Sequence, residues 1–100
     1  MNKKEIAAFF DRMAPEWDAN MIKSDEKINF ILDAAGVKEN SVVLDVACGT
    51  GVLIGDYLRR GVASVTAVDI SPEMIRIARE KFPQENVTEM KNRFRAVKEN

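Results

Sequence analysis

Apolar positions recur at helical spacing in the first third of the chain. One stripe spans residues 4–13, and Pro15 predicts that this helix ends just before the proline. A second stripe follows Ser24, whose hydroxyl is suited to cap a helix, and Gly36 is a natural stop. The pattern therefore predicts that residues 1–36 form N-terminal helices.

The middle of the chain alternates between β-branched apolar runs and helical spacing. Residues 42–46 are apolar on both faces except for Asp45, which predicts a parallel strand covered by helices on each side. Residues 64–69 predict a second strand, Ser71 begins the helix after it, and a third strand starts at residues 86–88. The alternation predicts a right-handed βαβ arrangement of parallel strands. The predicted core consists of Val43, Leu44, Val46, Leu53, Leu58, Val65, Ala67, Val68, Ile75 and Ala78.

The pattern changes after Thr88. Met90, Phe94 and Val97 are spaced four and then three residues apart among basic residues, which predicts an amphipathic helix with a solvated basic face. The chain is thus predicted to be a single domain. Its parts are N-terminal helices (1–36), a βαβαβ unit (42–88) and a C-terminal helix (89–100).

Composition narrows the class of protein. One hundred residues, 46% hydrophobic and 31% charged, are typical of one small globular domain. Fifteen basic and sixteen acidic residues leave a net charge of -1, which argues against nucleic-acid binding. With no histidine and one cysteine, Cys48, no metal site is expected, and no run could span a membrane. The single cysteine and an N-terminus unlike a signal peptide predict a cytoplasmic protein.

A glycine-rich turn joins the first predicted strand to the next helix. Gly49 and Gly51 leave backbone amides accessible, and a helix start directs N–H groups at a bound anionic group. Asp69 ends the next strand, twenty positions after Gly49, which is the interval at which nucleotide-binding βαβ units hold a ribose. Ile54 stands where a dinucleotide fingerprint needs a small residue, and no P-loop lysine follows. The turn therefore predicts a nucleotide-like ligand of another kind.

Each of these residues also has a structural interpretation. The two glycines can serve a tight turn, and Asp69 can cap the helix that begins at Ser71. Asp45 lies inside an apolar strand and must find hydrogen-bond donors, which loop N–H groups alone could supply. Cys48 is best explained as a small loop residue, because no nearby base would activate its thiol.

Three segments in order resemble class I methyltransferases that use S-adenosylmethionine (SAM). Residues 43–51 resemble the first motif of that family, with Ala47 in place of its first glycine, and residues 68–74 resemble the second. Residues 10–18 are similar to the N-terminal segment of the ubiquinone/menaquinone type of small-molecule methyltransferase. The resemblance implies a truncated Rossmann-like, three-layer α/β fold, with parallel strands and flanking helices.

The resemblance also implies contacts with the cofactor. The matched positions of the first motif would shape the loop under the methionine portion of SAM, with Asp45 near its ammonium group. Asp69 would hold the ribose, and Ile70 would line the adenine face. Trp17 would help to cover the cofactor, the alternative being simple packing. The expected cofactor-binding residues are Trp17, Asp45, Ala47, Cys48, Gly49, Gly51, Asp69, Ile70 and Met74.

The resemblance covers residues 10–88, and no catalytic residue is assigned. The motifs that face the methyl acceptor in the family have no counterpart here, so we expect a fragment, a truncated product or a degenerate copy. The implied function is methyl transfer from SAM to an unidentified small molecule. The alternatives are a non-catalytic module that binds SAM or its demethylated product, and a remnant acting in protein interaction. The apolar edge of strand 42–46 predicts self-association or coverage by the C-terminal helix.

Overall fold

Three parallel strands form the sheet in the computed structural model, which describes residues 2–91 and only the backbone of the last of them. The strands are β1 (Val42–Val46), β2 (Ser64–Asp69) and β3 (Val87–Lys91), in the spatial order β1-β2-β3. Each strand pairs in parallel with its neighbour, so β1 and β3 are both edge strands in the described part of the chain. The α/β fold with parallel strands and flanking helices is confirmed.

The helices begin where short polar side chains satisfy free backbone N–H groups. Ser24 accepts a hydrogen bond from the Lys27 N–H at 3.4 Å, and Ser71 accepts one from the Met74 N–H at 3.1 Å. Within residues 2–91, none of the helices combines the length and the apolar character that crossing a bilayer requires. The helices are α1 (Lys3–Met13), α2 (Asp25–Ala34), α3 (Ile54–Arg59) and α4 (Pro72–Lys81), and a 3-10 turn (Ala14–Glu16) follows α1.

One face of the sheet is covered by helices and contains the core. Val65 and Ala67 of β2 and Val87 of β3 are buried there, and Val43 of β1 packs against them. The helices contribute Ile28 and Leu32 from α2, Ile54 and Tyr57 from α3, and Ile75 from α4. Most of the predicted core is therefore confirmed.

The opposite face of the sheet is open along β1 and at Met90, although Val68 of the inner strand is buried there. Val42, Leu44 and Val46 are 80%, 58% and 55% exposed, and Met90 of β3 is also exposed. The expectation that β1 is covered on each side, with Leu44 and Val46 in the core, is therefore wrong for residues 2–91. The apolar run indicated a strand correctly, but hydrophobicity alone does not show whether a second layer lies on it.

The C-terminal helix expected over 89–100 is wrong at its beginning. Residues 89–91 belong to β3, and Met90 is the partner of Val68 in β2. Val87 and Glu89 are buried whereas Thr88 and Met90 are exposed, so the period is two, as in a strand. The remainder of the expected helix, with Phe94 and Val97, lies outside the described residues.

Candidate functional site

The loop after β1 alternates between ordinary and left-handed backbone. Ala47, Gly49 and Gly51 have φ values of 62°, 60° and 82°. Left-handed backbone is costly for residues with a Cβ atom, which explains why small residues recur at every second position. The Cys48 N–H donates to the Val68 carbonyl at 2.9 Å and holds the loop against the end of β2.

Asp69 connects this loop to the start of α4. Its carboxylate accepts the Gly49 N–H at 2.8 Å and the Ser71 N–H at 2.9 Å, one on each oxygen. The side chain is buried, and ionised carboxylates are acceptors with about four lone-pair sites. Asp69 therefore has the structural role expected at the helix start and retains the capacity to accept further hydroxyl groups.

Asp45 finds its donor in a helix that follows the loop. The Tyr57 hydroxyl of α3 donates to the Asp45 carboxylate at 3.0 Å. Burial raises the pKa of Asp45, the nearby Asp69 carboxylate raises it further, and the hydrogen bond from Tyr57 opposes them. The donor in the structure is therefore a side-chain hydroxyl and not one of the loop N–H groups that could have supplied it, and sequence analysis did not single out Tyr57. Its phenolic hydroxyl was the available signal.

Cys48 lies buried among these acidic groups. Burial, together with the charges of Asp69, Asp45 and Glu89, raises the pKa of the Cys48 thiol to about 12. The thiol is therefore protonated at neutral pH, where it forms a neutral part of the loop and not a nucleophile. Within residues 2–91, no cluster of acidic and cysteine side chains has an arrangement that could hold a metal ion.

Two adjoining cavities open around the loop. The smaller, of about 280 Å³, is lined by Asp69, Ile70 and Met74 together with Phe10 of α1. The larger, of about 490 Å³, is bounded on the loop side by Asp45 and Cys48. Both cavities are lined by the aromatic ring of Trp17 and by two residues with little or no side chain, Ala47 and Gly49. Eight of the nine residues expected to bind a cofactor thus border one or both of these adjoining cavities.

Gly51, the ninth of those residues, lies outside these two cavities. It is buried, and a Cβ atom there would lie 2.9 Å from Ile54 and 3.2 Å from the Phe82 ring. Gly51 therefore allows α3 and the end of α4 to pack closely against the loop, and it lines a neighbouring surface pocket.

Trp17 lies at the junction of the two cavities. Its ring packs edge-to-face on Phe10, with centroids 6.0 Å apart, and its indole nitrogen lies 3.6 Å from where a Gly49 Cβ would be. The half-buried indole both packs against α1 and stands over the loop glycine. The packing and covering interpretations of Trp17 are therefore compatible.

Two aspartates missed by sequence analysis hold the N-terminal segment in place. Asp11 accepts hydrogen bonds from the Ser71 hydroxyl and the Glu73 N–H at the start of α4. Asp18 accepts the Thr50 hydroxyl of the loop and pairs with Lys81 at 2.8 Å. Burial on its own would raise the pKa of Asp18, but its contacts with Lys81 and Thr50 together lower the pKa below its ordinary value. Both aspartates lie in segment 10–18, where the resemblance assigned a role only to the tryptophan.

Comparison with known proteins agrees with this arrangement. The sequence profile of a family described as "Methyltransferase domain" matches residues 43–99. The chain is 38% identical over 90 residues to the malonyl-[acyl-carrier protein] O-methyltransferase of Acetivibrio thermocellus, covering 87% of this chain and 32% of that protein. It is 30% identical over 99 residues to the magnesium-protoporphyrin O-methyltransferase of Rhodobacter capsulatus, covering 83% and 44%.

Solved structures show the same fold. A SAM-dependent methyltransferase from Geobacter sulfurreducens, in complex with S-adenosyl-L-homocysteine, superposes with a TM-score of 0.62 at 21% identity. That match covers 82% of this chain and 35% of the other. The chain thus spans about a third to under a half of the length of these relatives. Because the family profile matches more than half of the chain, the chain belongs to the methyltransferase domain family, and the resemblance of its motifs to class I SAM-dependent methyltransferases is confirmed.

Proposed function

We propose that this chain is the cofactor-binding part of a methyltransferase that transfers a methyl group from SAM to a small-molecule acceptor. One observation supports this above all. Asp69 and Asp45 border two cavities that meet at Gly49, so a single extended ligand can reach both carboxylates. SAM has two hydroxyls at its ribose, which suit Asp69. Its methionine portion has an ammonium and a sulfonium group, which suit Asp45, and one carboxylate, which must point away from Asp45.

The smaller cavity suits adenosine. Asp69 is already fixed by two backbone N–H groups, so its remaining lone pairs are held in place for the ribose hydroxyls. Ile70 and Met74 offer apolar surface to the adenine ring, and Met74 is itself buried and firmly positioned. We propose that Trp17 covers this end of the ligand, since its ring already stands beside Gly49.

The larger cavity suits the methionine portion at its loop side. Asp45 is half-buried, and among the described residues its carboxylate accepts a hydrogen bond from the Tyr57 hydroxyl. A partly desolvated carboxylate with one neutral donor is stabilised by an added cation. An ammonium group beside Asp45 would reverse the rise in its pKa, and Ala47, Cys48 and Gly49 would provide the adjacent wall.

The bound cofactor would supply an activated methyl group on a positively charged sulfur. Transfer would then be direct displacement, to which the protein contributes alignment and a site shielded from water. Relatives of this chain are named for malonyl-[acyl-carrier protein], magnesium-protoporphyrin and demethylmenaquinone as acceptors. Together with the net charge of -1, these names support an acceptor other than nucleic acid. The single cysteine supports a cytoplasmic location.

Titration calorimetry with SAM and S-adenosyl-L-homocysteine tests the proposal. We expect both to bind the full chain, and Asp69→Ala to weaken binding at least tenfold, because hydrogen bonds to a charged group contribute about 1.5–3 kcal/mol each. Asp25→Ala, in the exposed first turn of α2, is the matched control and should bind as the unmodified chain does. Circular dichroism of each variant separates lost binding from lost folding.

Two results would count against the proposal. No heat and no thermal shift with either ligand at millimolar concentration would remove the binding function altogether. Unchanged affinity in a folded Asp69→Ala variant would show that the ribose is held elsewhere.

A second candidate is a module that binds the cofactor without transferring its methyl group. Binding requires only residues that contact the cofactor, such as Asp69 and Asp45, whereas transfer also requires residues that contact the acceptor. Incubation with isotopically labelled SAM and a panel of carboxylic acid and quinone acceptors distinguishes the two. Labelled product indicates an enzyme, whereas binding without product indicates the module.

We further propose that the chain self-associates through the open face and free edge of β1. Val42, Leu44 and Val46 project from this strand and are more than half exposed. Exposed apolar edge strands offer unpaired backbone groups as well as apolar surface to another chain.

A further inference from the structure

The larger cavity extends well beyond its loop side. Away from the loop it is lined by Met21 and Ile22, which lie between the 3-10 turn and α2, and by Ile28 of α2 itself. Val52, after the loop glycines, also lines the cavity. This wall combines apolar side chains with polar ones, and it lies apart from the loop side, where the methionine portion is proposed to bind beside Asp45.

Two lysines border this wall, and they differ in their pairing. Lys23 forms an ion pair with Asp56 of α3 at 2.8 Å, and Asp56 also pairs with Arg59, so the ammonium group of Lys23 is held by a carboxylate that it shares. Lys27, on the first turns of α2, has no partner for its ammonium group among residues 2–91. Lys27 is thus the lysine of this wall whose ammonium group is available to pair with a ligand.

Ile22 adds an independent sign that something binds here. Its side chain is 98% exposed although it borders the cavity. A single exposed apolar residue is ordinary on a protein surface. Ile22, however, lines the same cavity as the unpaired Lys27, and together they give its rim both apolar and cationic character. Such a rim matches a ligand with an apolar body and an anionic group.

We propose that the wall formed by Met21, Ile22, Lys27 and Ile28 binds the methyl acceptor, and that the acceptor is an apolar molecule with an anionic group. This inference rests on the proposed function, because it places the acceptor in the part of the cavity that the cofactor leaves free. Asp45 at the loop side repels an anion, so the anionic group of the acceptor is directed toward Lys27. The methionine portion of the cofactor also carries a carboxylate, which we place at the loop side beside the backbone of the loop. Lys27→Met should therefore leave the affinity for S-adenosyl-L-homocysteine unchanged, and a weaker affinity would show that Lys27 binds the cofactor and not the acceptor.

Octanoate and its neutral counterpart octanamide are suitable probes. Each is titrated into the full chain saturated with S-adenosyl-L-homocysteine, and binding is followed by backbone amide NMR signals. We expect octanoate to bind roughly twofold to fivefold more tightly than octanamide, which is the upper part of the range for an exposed charge pair. Lys27→Met should remove this difference, and Lys27→Arg should restore it. Ile22→Ser should weaken both probes.

Lys4→Met is the matched control, because Lys4 is an exposed lysine of α1 away from the cavity. It should leave octanoate binding unchanged. Equal binding of the two probes, or full octanoate binding by Lys27→Met, would overturn the acceptor inference while leaving cofactor binding intact. Displacement of S-adenosyl-L-homocysteine by octanoate would also overturn it, because both would then occupy the loop side. Failure of S-adenosyl-L-homocysteine to bind at all refutes the proposed function itself, and the inference with it.

Discussion

The covered face and the open face of the sheet carry apolar side chains of the same kind, in different surroundings. On the covered face Val65 is 1% exposed, because α2, α3 and α4 pack over it. On the open face Val42 of the adjacent strand is 80% exposed. Burial and not residue type decides what a side chain contributes, so two identical residues should differ greatly in their effect on stability.

The largest difference in stability is expected between two valine-to-alanine substitutions, one on each face of the sheet. Val65→Ala should lower the free energy of unfolding by about 2 kcal/mol, since it loses buried apolar surface and leaves a cavity. Val42→Ala should change it by less than about 0.5 kcal/mol. Chemical denaturation of both variants measures the difference. Equal losses would show that the open face is covered in solution.

A buried carboxylate on the covered face gives the next largest effect, with the opposite sign. Glu89 lies beside Ala67 in the sheet, is 6% exposed, and has one carboxylate oxygen without a hydrogen-bond partner among residues 2–91. Arg79 donates instead to the backbone carbonyl of Glu89. An unsatisfied buried polar group costs about 1–3 kcal/mol. Glu89→Met should therefore stabilise the protein at pH 7 by about 1–2 kcal/mol.

The pH dependence of this gain follows from the pKa of Glu89. Burial raises it above the ordinary value of 4.5, although a backbone hydrogen bond and Arg79 partly oppose the rise. The protonated form is thus favoured by folding, and its contribution is complete below pH 4.5 and is lost as pH rises through the folded pKa. The stability difference between Glu89→Met and the unmodified chain should grow over this range. Glu85→Met, at an exposed position, should show no such growth.

The fold and the loop could be predicted because their signals are local. Ser24 and Ser71 mark helix starts within four residues of the groups they cap, and the glycines mark the turn where positive φ is required. The approach of Asp69 to Gly49 followed from the spacing of a βαβ unit. In each case the sequence pattern and the contact it predicts lie within one supersecondary unit.

The contacts that sequence analysis missed join distant parts of the chain. Asp11 bonds to Ser71 across 60 positions, and Asp18 bonds to Thr50 across 32. No periodicity within a helix or strand specifies such pairs. The misassigned start of the C-terminal helix has a different cause. Glu89 is a charged residue at a buried strand position, which concealed the alternation of β3 and left Met90 as the apparent start of a helical stripe.

A smaller gain in stability is expected from a substitution at Ala47, the first residue of the loop after β1. Its φ of 62° costs an L-residue about 1–2 kcal/mol, whereas glycine adds about 0.4–1 kcal/mol of unfolded-state entropy. Ala47→Gly should therefore stabilise the protein by about 0.5 kcal/mol. Ala63→Gly is the control, because Ala63 is not in the left-handed region and glycine there should destabilise. Thermal unfolding of the two variants should shift in opposite directions, and a shift in the same direction would contradict the strain at Ala47.

The smallest change in the free energy of unfolding is expected on the open face, even when an apolar side chain there is replaced by a charged one. Leu44→Lys places a charge on an exposed position of β1, so the free energy of unfolding of the monomer should change by less than about 0.5 kcal/mol. The same change should weaken self-association strongly, because a charge on an edge strand opposes pairing with another chain. Sedimentation velocity across a range of concentrations measures the association, and Thr66→Lys on the neighbouring inner strand provides a second position on this face. If Leu44→Lys unfolded the chain while leaving association unchanged, the open face would be part of the core, and the distinction between the two faces would fail.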